Sequence, residues 1–589
     1  MSNMSEAVAI NGAELFSTPL TRQVDSGVWT PEDDREFSYN SDPFAREELP
    51  GIVRSARDLS SLSPELEAAA SRWPASYYLS ARRSSLLRPF DWDQSARVLE
   101  VGSGCGSITR FLGETFSEVV AIEGELHRAA VGASRSRDQA NVAVACAPFE
   151  SLQPRKPFDL LFCIGVLEYS PLYNNADDPF LATLSDFRTK IADDGALVVA
   201  IENKLGLKYF AGAAEDHTSV RFDGIEGYRR SGGRGPRTMG RVELKDRLLR
   251  AGFQRVDFYY PFPDYKLTRA VISESGATFG GSALAEFIAH DVAGDYLSTS
   301  TKPLFDQRAV WHELCENGLV GDLANSFLII ASATTKQHHV TAEWDAASYN
   351  LTPRLKPFWA ETRITGMEDG VPEIERRRLF PGDDASPLVR MPDSTREKWY
   401  SAKTVAEAAA AEAKCKSSTA TDVVERLRPW LRFLTDRVDE RGNVPGSLLD
   451  AIPQNLILSG DDLHQIDREW EWHDRVPLSY VVSRGLAVFF TKLRDSVGVS
   501  GRYRRTPLGI LMLAGARQLG LEYGLRDLRD YYERESRLQA EIKCVRSSSY
   551  RGMIACAIPP QARQVKTLLL AARRLSGKAR RIVSRALRS

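Results

Sequence analysis

The sequence predicts an α/β protein: a doubly wound parallel sheet, then a second mixed unit, then a basic tail. Three observations predict it. Four short apolar runs, Val98–Val101, Val119–Glu123, Leu160–Ile164 and Leu197–Ile201, alternate with amphipathic stretches. Each is too short for a buried helix and is flanked by Gly, Asp or polar residues, the pattern of a strand buried on both faces. A glycine-rich turn follows the first run directly. The chain is 589 residues long, enough for three or four units at roughly 150 residues each.

Residues 1–62 are rich in Asp, Glu, Ser and Pro and read as a polar lead-in, with helix expected only from Ser63, where Ser-Pro-Glu-Leu-Glu makes a capped start. The α/β unit is expected over 63–335, with Val256–Tyr260 and Phe327–Ala331 as later strands and a helical insertion near 285–325. A second unit is expected over 340–545. Leu355–Gly366 with Gly370–Leu379 reads as one hairpin, and Leu456–Leu458 with Leu463–Ile466 as another. Val405–Ala413 and Thr421–Val438 read as helices.

Composition narrows the function. Apolar residues are 43% and charged residues 26%, ordinary globular usage. No apolar run approaches the roughly 18 residues of a membrane span, and no secretion signal is seen at the start. Seven scattered Cys without a C-x-x-C pair point to a reducing cytoplasm. The net charge of -1 hides an asymmetry: residues 561–589 hold nine Lys or Arg and no acid, while the rest holds 68 basic and 78 acidic groups. The acidic body argues against nucleic-acid binding. Residues 560–589 place Val565, Leu568, Leu569, Ala572 and Leu575 on one helical face and most basic residues on the other, which suits a helix at an anionic membrane surface. A helix packed on the acidic body and an unstructured tail are the alternatives.

The strongest motif is Val98-Leu99-Glu100-Val101-Gly102-Ser103-Gly104-Cys105-Gly106. Such a turn lets backbone approach a ligand closely. An acid two residues before the first Gly would repel a pyrophosphate but favours a cationic ligand. Glu123 ends the next strand, where a carboxylate can accept both hydroxyls of a ribose. Phe158–Tyr169, with Gly165 inside it, supplies the strand and loop that would close over this ligand. A Rossmann-like domain that binds a nicotinamide cofactor, or nothing, is the alternative.

This set resembles the class I S-adenosylmethionine-dependent methyltransferases over roughly residues 75–275. The resemblance implies a Rossmann-like sheet and S-adenosyl-L-methionine as donor. Glu100, Gly102, Gly104 and Gly106 would line the methionine part, Glu123 would hold the ribose, and Gly165 would lie beside the donor. The Asp many relatives carry at the adenine is absent from Ala147-Pro148-Phe149. On the acceptor side, Glu202–His217, Gly224–Tyr228 and Tyr259–Lys266 resemble methyltransferases of bacterial surface-polysaccharide assembly. Aromatic residues beside carboxylates suit a sugar. His217 is the candidate general base, with Asp216 and Asp264 weaker candidates; His217 as a simple loop anchor is the alternative.

In the second unit, Asp450 and Asn455 are five apart and Asp467 follows twelve residues later. That spacing is similar to the catalytic loop of kinase-like phosphotransferases, which implies Asp450 as base, Asn455 and Asp467 as metal ligands, and Mg2+ with ATP. Leu448 stands in place of the usual His, no glycine-rich phosphate loop precedes residue 380, and Glu373–Leu379 offers Arg but no Lys. The expected protein is thus a cytoplasmic methyltransferase, peripheral at the inner face of a membrane. It would act on a surface glycan or its lipid-linked precursor. A bifunctional kinase–methyltransferase and a non-catalytic membrane-recruited assembly protein are the alternatives.

Overall fold

The computed structural model describes residues 10–32, 42–232, 235–281, 284–285, 287–288, 303–382, 386–400, 402–415, 419–459, 462–495, 499 and 501–543. The chain divides into two compact units. The first is Met1–Leu351 with Ala360–Arg376, and the second is Thr352–Trp359 with Arg377–Ser589.

The first unit is built on one large sheet. Its strands are β1 (Leu20–Arg22), β2 (Trp29–Pro31), β4 (Arg97–Val101), β5 (Glu118–Glu123), β6 (Val142–Cys146), β7 (Phe158–Ile164), β8 (Ile191–Glu202), β9 (Arg255–Phe262), β10 (Ala270–Ser273), β11 (Ser326–Ser332), β13 (Ala346–Asn350) and β14 (Ala360–Thr365), with a separate short pair formed by β3 (Asp91–Trp92) and β12 (Val340–Thr341). Across the sheet the order is β1-β2-β6-β5-β4-β7-β8-β11-β9-β10-β13-β14. The stretch β6-β5-β4-β7-β8 is parallel, while β11 runs antiparallel to both β8 and β9. All four expected strands and both later ones are present.

The core explains the apolar runs. Leu99, Val120, Leu161 and Val198 are fully buried from neighbouring parallel strands. On one face Trp92 packs against Phe162 and Phe116, with ring centroids 5.3 and 5.9 Å away. The two tryptophans in this cluster keep their polar edges satisfied: Trp92 Nε1 donates to the Leu87 carbonyl at 2.8 Å and Trp344 Nε1 to the Pro89 carbonyl at 2.9 Å. On either side of β4 and β7 the chain winds in opposite directions, which opens a crevice at the carboxyl ends of these strands.

Three expectations change. Residues 1–62 are not merely a lead-in: β1 and β2 pair antiparallel and Trp29 joins β6 at Ala145. Helices then run over Pro43–Glu47 and Leu49–Ser55, burying Ala45, Leu49 and Val53 against Tyr78, Cys105 and Val131. Their few apolar residues stand among polar ones, so no period shows. The expected start of the second unit near 340 also moves, because β13 and β14 pair with each other and extend the first unit's sheet. Finally, Pro429 sits in the first turn of a helix over Arg428–Thr435, so the single helix expected over Thr421–Val438 is two, the other being Ala420–Glu425. The start at Ser63 stands: its hydroxyl accepts from Leu66 N–H at 3.2 Å, with Pro64 in the first turn. The expected insertion shows helices at Gln307–Glu316 and Val320–Leu323; residues 289–302 and the basic tail lie outside the described residues.

In the second unit Leu456–Ser459 and Asp462–Gln465 form the expected hairpin, in the register Leu456↔Gln465 to Ser459↔Asp462. A helix over Leu478–Asp495 follows, then helices at Leu508–Gln518 and Leu525–Ile542. Among the described residues no helix is long and apolar enough to cross a membrane.

Leu328 is fully buried in β11, where β8 and β9 flank it. Leu328→Ala should cost about 2–5 kcal/mol through lost burial and a residual cavity, read as a lower midpoint in denaturant unfolding.

Candidate active site

The crevice holds a cavity of about 1100 Å³, lined from the turns after β4, β5, β6 and β7 and from the segments after β8 and β9. Its volume accommodates a nucleoside-sized donor with the end of an acceptor.

The glycine turn sits at its centre. Gly102, Gly104 and Gly106 all have positive φ, of 72, 57 and 80°. A side chain at Gly106 would also meet Gly132 Cα at 2.8 Å, which only glycine avoids. The turn is tied down from β5. Gly104 N–H donates to Glu123 Oε2 at 2.7 Å and Glu125 N–H to Oε1 at 3.1 Å. Gly102 and Ser103 N–H both donate to the Ile122 carbonyl, at 2.8 and 3.0 Å. Glu123 therefore presents a fixed carboxylate, 6% exposed, to the cavity. Arg128 lies beside it.

Glu100 is 3% exposed and accepts from Thr109 Oγ1 at 2.6 Å. Burial pushes its pKa up to about 7, against the Thr109 hydrogen bond and the nearby Arg83 charge. A buried carboxylate poised near neutrality is held charged by an incoming cation. Near the edge of β6, where no Asp stands, Pro148, Phe149 and Glu150 line the cavity instead.

The other half of the cavity is charged and aromatic. Gly165, at φ +71°, leaves room for Tyr265, whose hydroxyl would lie 2.7 Å from any added Cβ. Glu168, 1% exposed, leaves Oε2 without a hydrogen-bond partner among the described residues. Burial and the Glu202 charge push its pKa up to about 8, although His217 opposes them. Glu202, fully buried at the end of β8, receives the Tyr265 hydroxyl at 3.3 Å and the Lys266 ammonium on Oε1. His217 Nε2 meets Glu202 Oε2 at 3.4 Å, and the His217 ring stands edge-on to Tyr169 at 5.5 Å.

His217 is placed in the cavity, but its expected role as a free base at neutral pH is corrected. Burial alone would lower its pKa; the Glu202 charge and hydrogen bond, with Glu168 and Glu215, outweigh burial and raise it to about 9. The imidazole then carries its proton at neutral pH and cannot accept another. Asp216 lines the cavity and is held ionised by Lys208 and Lys266, at 3.1 and 2.5 Å, despite burial. Asp264 caps a turn instead, its Oδ1 accepting from Lys266 N–H at 2.9 Å.

Sequence reasoning missed much of the wall. Asp42 and Phe44 come from the segment read as a lead-in, and Trp73, Tyr77 and Tyr78 from the helix region before β3. The run Ser-Tyr-Tyr-Leu at 76–79 was the available signal.

In the second unit Asn455 Nδ2 donates to the Asp450 carbonyl at 3.1 Å, so the expected loop does close on itself. The Asp450 carboxylate is buried and accepts from Arg484, Nη2 at 2.9 Å. Burial raises its pKa while Arg484 pulls it down. Arg484 also pairs with Glu535 at 2.7 Å. Asp467 adopts φ +55°, and its N–H donates to Glu397 Oε2 at 2.7 Å.

A family model described as a methyltransferase domain matches residues 99–186, the segment from β4 through the glycine turn to the helix after β7. No curated protein matches the chain in sequence. Among solved structures, the phosphoethanolamine N-methyltransferase 2 of Haemonchus contortus with S-adenosyl-L-methionine is 15% identical over 43% of this chain and 52% of its own, with a TM-score of 0.26. The chain thus spans about half the length of that enzyme. A possible histamine N-methyltransferase of Thermotoga maritima is 16% identical over 44% of this chain and 89% of its own, at a TM-score of 0.25. An N-methyltransferase of Bradyrhizobium japonicum with S-adenosyl-L-homocysteine is 16% identical over 33% and 86%, at 0.23. The match marks residues 99–186 as a methyltransferase domain, and Glu100, the glycine turn and Glu123 give that domain a pocket suited to S-adenosylmethionine.

Donor affinity should therefore rise with pH as Glu100 ionises through about 7 and level off above it. The slope below 7 approaches tenfold per pH unit. Glu100→Gln should weaken binding roughly tenfold at pH 8 and flatten this dependence. Calorimetric titration with S-adenosylmethionine from pH 6 to 8.5 checks both.

Proposed function

We propose that the enzyme O-methylates a hydroxyl of a cell-surface glycan or of its lipid-linked precursor. The observation that carries this is the composition of the acceptor half of the cavity. Trp73, Tyr77, Tyr169 and Tyr173 offer flat apolar surface, and Glu168, with an uncommitted oxygen, stands among them. Sugar rings present apolar faces and hydroxyls, the two features this wall complements. On the donor side, Gly102, Gly104 and Gly106 would take the methionine part next to Glu100, Glu123 the ribose, and the Phe149 ring the adenine, with Gly165 opening space at the methyl group.

Transfer is a direct displacement. The acceptor oxygen attacks the methyl carbon and the C–S bond breaks with its electron pair moving to sulfur, leaving S-adenosylhomocysteine. The hydroxyl proton passes to Glu168 in its ionised form, the fraction of which grows as pH rises through about 8. Positioning supplies much of the rate, because the sulfonium is already a strong methyl donor. Glu168→Gln should keep donor affinity within about twofold and lower turnover by about 10²-fold or more. Turnover of the unaltered enzyme should rise with pH through about 8. A variant with unchanged turnover on lipid-linked and free glycan acceptors would remove Glu168 from the reaction.

A second reading adds phosphorylation of the glycan before methylation. The closed Asp450–Asn455 loop favours it, with Asp450 as base and Asn455 and Asp467 holding Mg2+ for ATP. Opposing it, Arg484 already occupies the Asp450 carboxylate. Calorimetry with Mg-ATP separates the two: binding lost in Asp467→Ala supports the kinase, and no heat from the wild type ends it. The basic segment 561–589 would bring either enzyme to an anionic membrane where lipid-linked acceptors lie.

A further inference from the structure

Glu168, Glu202 and His217 arrive from three different places, the loop after β7, the end of β8 and the segment that follows it. Each offers one ligand atom, and those atoms all lie within 4.8 Å of one another. Donor atoms around a common ion at bond lengths of about 2.0–2.3 Å stand roughly 3–4.5 Å apart, so this spacing needs only a small closure. We propose that this cluster is a divalent-cation site on the acceptor side of the methyltransferase cavity. The inference rests on the methyltransferase reading and deepens it.

Two independent features support a ligand here. Glu168 is 1% exposed, yet its Oε2 meets no hydrogen-bond partner among the described residues. Buried carboxylate oxygens left this way are costly, and a cation would satisfy this one. The other two groups are held by outside partners. Glu202 Oε1 is committed to Lys266 and the Tyr265 hydroxyl, which leaves Oε2 turned to His217. The His217 backbone N–H donates to Glu215 Oε2 at 2.8 Å, fixing the segment that carries the ring. Ligands supported by such neighbours are the usual construction of a metal site.

Two carboxylates and an imidazole, whose Nε2 proton the ion displaces, form a mixed oxygen and nitrogen set. It suits Mn2+ or Zn2+ better than Mg2+, which prefers oxygen ligands and retained water. Three protein ligands leave positions for an acceptor's oxygens, and a pair of neighbouring sugar hydroxyls would fill two of them. The cation would make the bound hydroxyl more acidic, so that its proton leaves to solvent water as the oxygen attacks the methyl carbon.

The test titrates Mn2+ alone into the chelator-treated full-length protein, followed by electron paramagnetic resonance, with Zn2+ as competitor. The wild type should bind one Mn2+. Glu168→Gln and His217→Gln should each weaken binding tenfold or more, while Asp193→Asn at an exposed position of β8 should leave it unchanged. Wild-type protein that binds neither metal, a Glu168→Gln variant that binds as the wild type does, or binding abolished in Asp193→Asn would each overturn the proposal. Glu202 also holds Lys266 and the Tyr265 hydroxyl, so Glu168 and His217 carry the test, with thermal melts confirming that each variant is folded. Calorimetry with S-adenosylmethionine on the same preparations separates the failures: donor binding without metal binding sinks the cation site alone, and no donor binding sinks the methyltransferase reading.

Discussion

The carboxylate of Glu123 holds the site together. It accepts Gly104 N–H on one oxygen and Glu125 N–H on the other, and so fastens the turn after β4 to the end of β5. Three glycines at positive φ make that turn possible, and the neighbouring Gly132 leaves space for one of them. Without this anchor the amides of the turn, Glu100 and Glu123 itself would lose their common orientation. The parallel pairing of β4 with β5 and β7 brings these groups to one crevice.

Charge divides the cavity into two working halves. On the donor side Glu100 waits near its titration point, ready for a cation. On the acceptor side acids and bases are already interlocked: Glu202 with Lys266 and His217, and Asp216 with Lys208 and Lys266. Among these acids Glu168 keeps an oxygen, Oε2, without a hydrogen-bond partner among the described residues. That difference is why the proposed transfer gives its proton to Glu168.

The donor half was legible because its signals are local. Glu100, the glycines and Glu123 lie in one strand–turn–helix–strand segment, and each residue type has a physical reason to be there. The acceptor half was less so. Glu168 and Glu202 come together from segments 34 residues apart, and which of them pairs with His217 depends on burial that no pattern reveals. His217 lines the cavity, and its protonation follows from Glu202, a partner that no sequence pattern reveals. Residues 42–44 reach the cavity from a polar stretch whose few buried side chains give no period. The stretch from 340 reads as the start of a new unit because the hairpin expected over Leu355–Gly366 and Gly370–Leu379 follows a parallel sheet, although β13 and β14 continue that sheet.

The most direct test of the account is hydrogen exchange of the full-length protein with and without S-adenosylmethionine. The donor should slow exchange in three segments, the turn at 102–106, the end of β5 near 123–125 and the loop at 165–169, while leaving 450–467 unchanged. Exchange unaltered at 102–106 with saturating donor would contradict the claim that this turn and Glu123 form the donor site.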